Sequence, residues 1–154
     1  MSVEKTIKRQ YQGFVDRAAS QLSDVQTPSE GWVVAVRKAL GMSGAQLARR
    51  LGVTRAAVSQ TEKNEASGSV TLKHMQKAAE ALGCRFVYAI VPETSIEDVI
   101  RDQAGRKATK LVRRASGHMA LENQSLPPEK LKEEIARLAD DLMRDMPSDF
   151  WEDK

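Results

Sequence analysis

Arg55 and Gln60 stand five residues apart in the run TRAAVSQ, Thr54 to Gln60. Both side chains bond edge-on to a planar partner. A guanidinium donates two parallel hydrogen bonds, which suits guanine O6 and N7; a carboxamide donates and accepts, which suits adenine N7 and N6. Ser59 and Ala56 add a hydroxyl and a methyl between them. These four act together only on one face of a helix, with Ala57, Val58 and Thr61 turned inward. Thr54 and Lys63 flank the set and are candidates for phosphate contact, as are Ser43 and Gly44, at the start of a preceding helix whose free amides suit an anion.

The elements that must hold this set are legible upstream. Ser43 and Gln46 have the capping-box spacing that opens a helix. Leu47, Ala48 and Leu51 give it an apolar side, and Gly52 follows where a helix end needs positive φ. Val53 is expected to plug the turn and Thr54 to cap the next helix. Asn64 is expected to end that second helix in a left-handed turn, with an exposed, flexible loop from Glu65 to Val70. Trp32, Val33, Val36 and Leu40 predict a helix before this pair. Thr71 caps one after it, with Leu72, Met75, Ala78, Ala79 and Leu82 inward and Gly83 at its end. Glu62 is assigned a bond inside this domain rather than a ligand contact.

Cys84 to Pro92, CRFVYAIVP, alternates Phe86, Tyr88 and Ile90 against Arg85, Val87 and Ala89, a strand pattern. Cys84 is read as a core residue there. A lone strand in a helical chain has no partner, so the pattern implies either pairing with a second copy through Phe86, Val87, Tyr88, Ala89 and Ile90, or an extended segment packed on its own helices. Thr94 and Glu97 then suggest a cap for a long helix from about 95 to 115. That helix has an apolar face and a basic one (Arg101, Arg106, Lys107, Lys110, Arg113 and Arg114 against Asp102), and Ser116 and Gly117 are expected to break it. Pro127 and Pro128 open a last helix with a seam of Leu131, Ile135, Leu138, Leu142 and Met146. Ile7, Tyr11, Phe14, Ala18, Leu22 and Val25 form a similar N-terminal stripe.

The expected fold is therefore mainly α: a helix-turn-helix bundle with one strand at about 84–91, plus helical arms at both ends. Its parts are an N-terminal arm at 1–26, a core at 31–83, a strand at 84–92, a helical region at 94–146 and a tail at 147–154. At 154 residues the chain is one or two domains, too short to add a large catalytic fold. Net charge is +3, but unevenly spread. Residues 32–64 carry six bases and one acid, Glu62, whereas residues 129–154 carry nine acids and five bases. Phosphate contacts would supply salt-dependent affinity at the first region. The acidic end should face solvent or a protein. The single cysteine allows no internal disulfide and suits a reducing cytoplasm.

Catalysis is not expected. His74 and His118 lack partners at metal-ligand spacing, so no metal or cofactor is implied. No nucleophilic triad or phosphate loop is evident, and neighbouring acids such as Glu133 and Glu134 do not face one site. No membrane-length apolar run occurs.

The core LARRLGVTRAAVSQTEKN resembles the phage-repressor-like helix-turn-helix family, the XRE type, with a lambda-repressor-like fold. That resemblance implies base contacts from Arg55, Ala56, Ser59 and Gln60. The runs GWVVAVRKALGMSGAQLARRLGVT, TLKHMQKAAEALGCRFVYAIVPETSIEDVIRDQA and GHMALENQ further resemble a small family called mobile mystery protein A. Its members accompany a partner with a Fic domain, a fold that commonly transfers AMP to protein hydroxyls. The resemblance implies the DNA-binding, antitoxin-like half of a two-protein module. Together with the strand reading, the expected function is a homodimeric repressor on a palindromic operator in its own promoter. The alternative it leaves is an interaction module that restrains the Fic-type enzyme and binds little specific DNA.

Overall fold

The computed structural model describes residues 2–121 and 126–153, so Glu122, Asn123 and Gln124 of the GHMALENQ run lie outside the described residues. Seven helices follow in order: α1 (Val3–Leu22), α2 (Trp32–Ala39), α3 (Gly44–Leu51), α4 (Arg55–Ser67), α5 (Leu72–Ala81), α6 (Ile96–Leu121) and α7 (Pro128–Asp145). They form two compact units. One is Ser23–Ala89; the other joins Met1–Leu22 to Ile90–Lys154.

In the first unit, α2 to α5 close around Val33, Leu47, Ala48, Val58, Met75, Ala78 and Leu82. Leu47 is fully buried, and each such large aliphatic contributes about 1.5–3 kcal/mol by leaving water. Ala48 packs here because a small residue lets helix backbones approach closely. Leu72, expected inward, lies at the rim with Trp32 and Leu40, all three substantially exposed, and Val53 is half exposed rather than plugging the turn.

One helix boundary in this unit differs from expectation. Helix α4 runs through Asn64 to Ser67, and Gly68 takes the left-handed position at φ 83°. The Ser69 amide donates to the Asn64 carbonyl at 2.8 Å and the Gly68 amide to that of Glu65 at 3.1 Å, so the helix stops where glycine permits the reversal. The extra turn is held by Glu65, whose carboxylate accepts from the Trp32 and Val33 amides.

The segment 84–91 is not a strand: among the described residues no ladder forms. A strand needs a neighbour for its amides and carbonyls, and the described residues offer none. Phe86 packs on the helical core and stacks on Tyr88 with ring centroids 5.7 Å apart. Val87, Tyr88 and Ile90 face solvent, Ile90 at 93% exposure. Cys84, expected in a core, is exposed.

In the second unit, α6 and α7 pack along each other, with Leu131, Ile135, Leu138 and Leu142 half-buried. The expected seam is thus occupied by α6 of the same chain. Ser95 caps α6 by accepting from the Asp98 amide at 3.1 Å, one residue later than the expected Thr94 and Glu97 pair. Asp16 of α1 accepts from the Ile96 amide at 2.9 Å, which settles the first helical residue. Hydrogen bonds from the Thr94 and Ser95 hydroxyls hold the Asp98 carboxyl below the usual carboxylate range. Helix α6 also passes through Ser116 and Gly117 to Leu121. One glycine costs about 1 kcal/mol relative to alanine, which does not break a helix without a proline or a competing cap. The tail is not free either. Phe150 is 1% exposed against Ile100 and Ala104, and the buried Gln103 amide donates to its carbonyl at 2.8 Å. Helix α1 keeps Val3, Ile7, Tyr11 and Phe14 largely exposed, while Ala18 and Leu22 are half-buried.

Candidate nucleic-acid interface

Ser43 caps α3 as its spacing predicts. Its hydroxyl accepts from the Gln46 amide at 3.1 Å, and Gln46 Oε1 accepts from the Ser43 amide at 2.8 Å. This leaves Gly44 and Ala45 with amides that an α-helix cannot satisfy internally. Gly52 closes α3 at φ 69°, ψ 31°, a conformation that costs an L side chain about 1 kcal/mol or more. The chain reverses in three residues, and the Thr54 hydroxyl accepts from the Ala57 amide at 3.1 Å to start α4.

At about 100° per residue, Arg55, Ala56, Ser59, Gln60 and Lys63 fall within an arc of roughly 140° on α4. All five are exposed. Ala57, Val58 and Thr61 occupy the opposite side, with Val58 buried and the other two half-buried. The four expected base-reading residues are therefore brought onto one face, with Lys63 beside them. Ser43 and Thr54 are exposed and Gly44 is partly so. The Ser43 and Thr54 oxygens accept their capping bonds, which leaves each O–H free to donate to a phosphate.

Glu62 points off this arc. Its carboxylate pairs with Arg37 Nε at 2.7 Å, and both side chains are mostly buried. Arg37 Nη1 also donates to the Met42 carbonyl at 3.1 Å. Arg37 therefore ties α2 to α4 and does not belong to the basic surface expected of residues 32–64. Arg49, Arg50, Arg55 and Lys63 remain exposed. Arg50 Nε donates to the Ala81 carbonyl at 2.6 Å.

Sequence reasoning overlooked two residues. Asn64 Oδ1 accepts from Gln60 Nε2 at 2.9 Å, using one amide hydrogen and leaving the second, with Oε1, for an adenine edge. The i,i+4 spacing of an amide pair on a helix was the available signal. Glu65 binds the N-terminus of α2, and no local spacing reports a partner 32 residues away. Among the described residues no group of acids, histidines and cysteine could hold a metal, and no helix is long and apolar enough to cross a membrane.

Comparison with curated proteins and with solved structures finds no match. Residues 34–88 match the family model described as Helix-turn-helix, so the chain carries at α3 and α4 a helix-turn-helix domain of the DNA-binding regulator type.

Proposed function

We propose that this chain is a sequence-specific double-stranded DNA-binding transcriptional regulator, an autorepressor and the antitoxin-like half of a mobile-element two-gene module in the cytoplasm. The carrying observation is the exposed arc of Arg55, Ala56, Ser59 and Gln60, on a helix whose other side is locked into the core. Arg55 reads a guanine and Gln60, steadied by Asn64, an adenine. Ser43, Gly44, Thr54 and Lys63 hold the phosphates. A palindromic operator calls for two copies, with half-sites about 34 Å apart. The exposed Val87, Tyr88 and Ile90 support a meeting of two copies at residues 86–90.

The test is binding of the purified chain to its own upstream DNA and to random duplex. Arg55→Ala should erase about 1–3 kcal/mol of preference. Equal binding of both duplexes by the parent chain would overturn the reading.

One observation favours a second reading, a module that binds and restrains a Fic-type enzyme. Val3, Ile7, Tyr11 and Phe14 line one side of α1 and stay exposed, whereas the α7 seam is already filled by α6. Co-purification with the Fic-domain partner, lost in Tyr11→Asp, would support it.

A further inference from the structure

The unit containing α6 and α7 carries a groove of about 660 Å³, open along its length. Gly105, Thr109 and Ile135 of α7 are among the residues that line it. Arg101, Arg106, Lys110 and Arg113 line it against a single carboxylate, Asp102. Arg101 is committed elsewhere, to Glu97 at 3.1 Å and Asp98 at 2.9 Å. The other three cations are exposed and form no ion pair among the described residues. Arg106 bonds only the neutral Gln103 amide oxygen, and Lys110 the Asp153 carbonyl. Lys107, expected on the same basic face, is folded away beneath the chain end, bonded to the Asp149 and Glu152 carbonyls.

Among the described residues, then, three positive charges on one side of a helix have no ion-pair partner. At about 1.5 Å rise per residue, Arg106, Lys110 and Arg113 are spaced roughly 6 and 4.5 Å along the axis. Their positions step along two turns of the helix instead of sharing one. They form a row, which matches a linear polyanion whose charges repeat every few ångströms, as a nucleic-acid strand's do at about 3.4 Å.

We infer that this groove is a second, sequence-independent seat for the phosphate backbone of duplex DNA, separate from the reading helix α4. The inference rests on the DNA-binding reading above. It adds affinity and salt dependence without adding base preference.

The test uses the full chain, a 30-base-pair duplex of its upstream DNA, and a random duplex of equal length, titrated over a range of salt. Combined Arg106→Gln, Lys110→Gln and Arg113→Gln should lower the log–log salt slope by about 2.7, at about 0.9 per phosphate contact, and leave the upstream-to-random ratio unchanged. Asp102→Asn, which needs no loss of a cation, should strengthen binding to both duplexes. An unchanged slope, with no gain from Asp102→Asn, overturns the groove and leaves α4 standing. A parent ratio of one, insensitive to Arg55→Ala, overturns the repressor reading, and the slope on random duplex still decides the groove. Capture of polyglutamate that the triple variant loses, with an unaltered duplex slope, would mean an acidic protein occupies the groove and overturns the inference.

Discussion

Arg37 of α2 and Glu62 of α4 meet at 2.7 Å between Nε and Oε1, with 16% of each side chain exposed. The pair lies at the edge of the reading face, and its function is mechanical. It fixes α4 to α2, one turn before Glu65 fixes the same two helices through the Trp32 and Val33 amides. The orientation of α4 is thus held from its flank by two acids, Glu62 and Glu65, that bond to α2.

Glu62→Gln should therefore destabilise the Ser23–Ala89 unit by about 1–3 kcal/mol, the usual worth of a hydrogen bond to a charged partner. Trp32 lies in this unit and Trp151 in the other. Urea unfolding followed by fluorescence in a Trp151→Phe background reports it separately. The upstream-to-random binding ratio should stay at the parent value.

Gly31 precedes α2 at φ 93°, and a Cβ placed there would lie 2.7 Å from Glu65 Cδ. Gly31→Ala should cost about 1–3 kcal/mol through backbone strain and the displaced carboxylate. In a Glu65→Ala background part of that cost has already been incurred. The double variant should be more stable than the sum of the single changes predicts, and strict additivity would rule out the contact.

Phe150 should behave as a core residue despite its place near the chain end. Phe150→Ala removes a side chain packed on Ile100 and Ala104 and should cost the second unit about 3–5 kcal/mol. Trp151, edge-to-face with Phe150 at 4.9 Å between centroids, supplies the fluorescence signal. A loss below about 1 kcal/mol would mean the tail is only loosely attached.

Lys63 offers a charge without base-edge geometry. Lys63→Ala should reduce the salt slope by about 1 and weaken all duplexes alike. A selective loss on the upstream duplex would move Lys63 into the base-reading set.

Ile90→Asp tests the meeting of two copies. Sedimentation velocity should show the parent as a dimer and the variant as a monomer at the same concentration. A monomeric parent would remove residues 86–90 from any self-contact, with α4 unaffected.

What the sequence determined by itself was local. Caps at Ser43 and Thr54, the reversal at Gly52 and the two faces of α4 depend on residues within one or two turns, so spacing alone encodes them. What only the tertiary structure decided was where distant segments meet. Glu65 extends α4 past Asn64 because the α2 amides need an acceptor, and Arg37 leaves the basic surface because Glu62 is near. The same distinction explains the segment 84–91. Its alternation is a real β pattern, but ladder hydrogen bonding is a property of pairs of strands, and the described residues do not provide the second. Phe150 is buried against Ile100 and Ala104 of α6, 50 and 46 positions earlier in the chain, and no periodicity within an eight-residue tail can announce a pocket made by another helix.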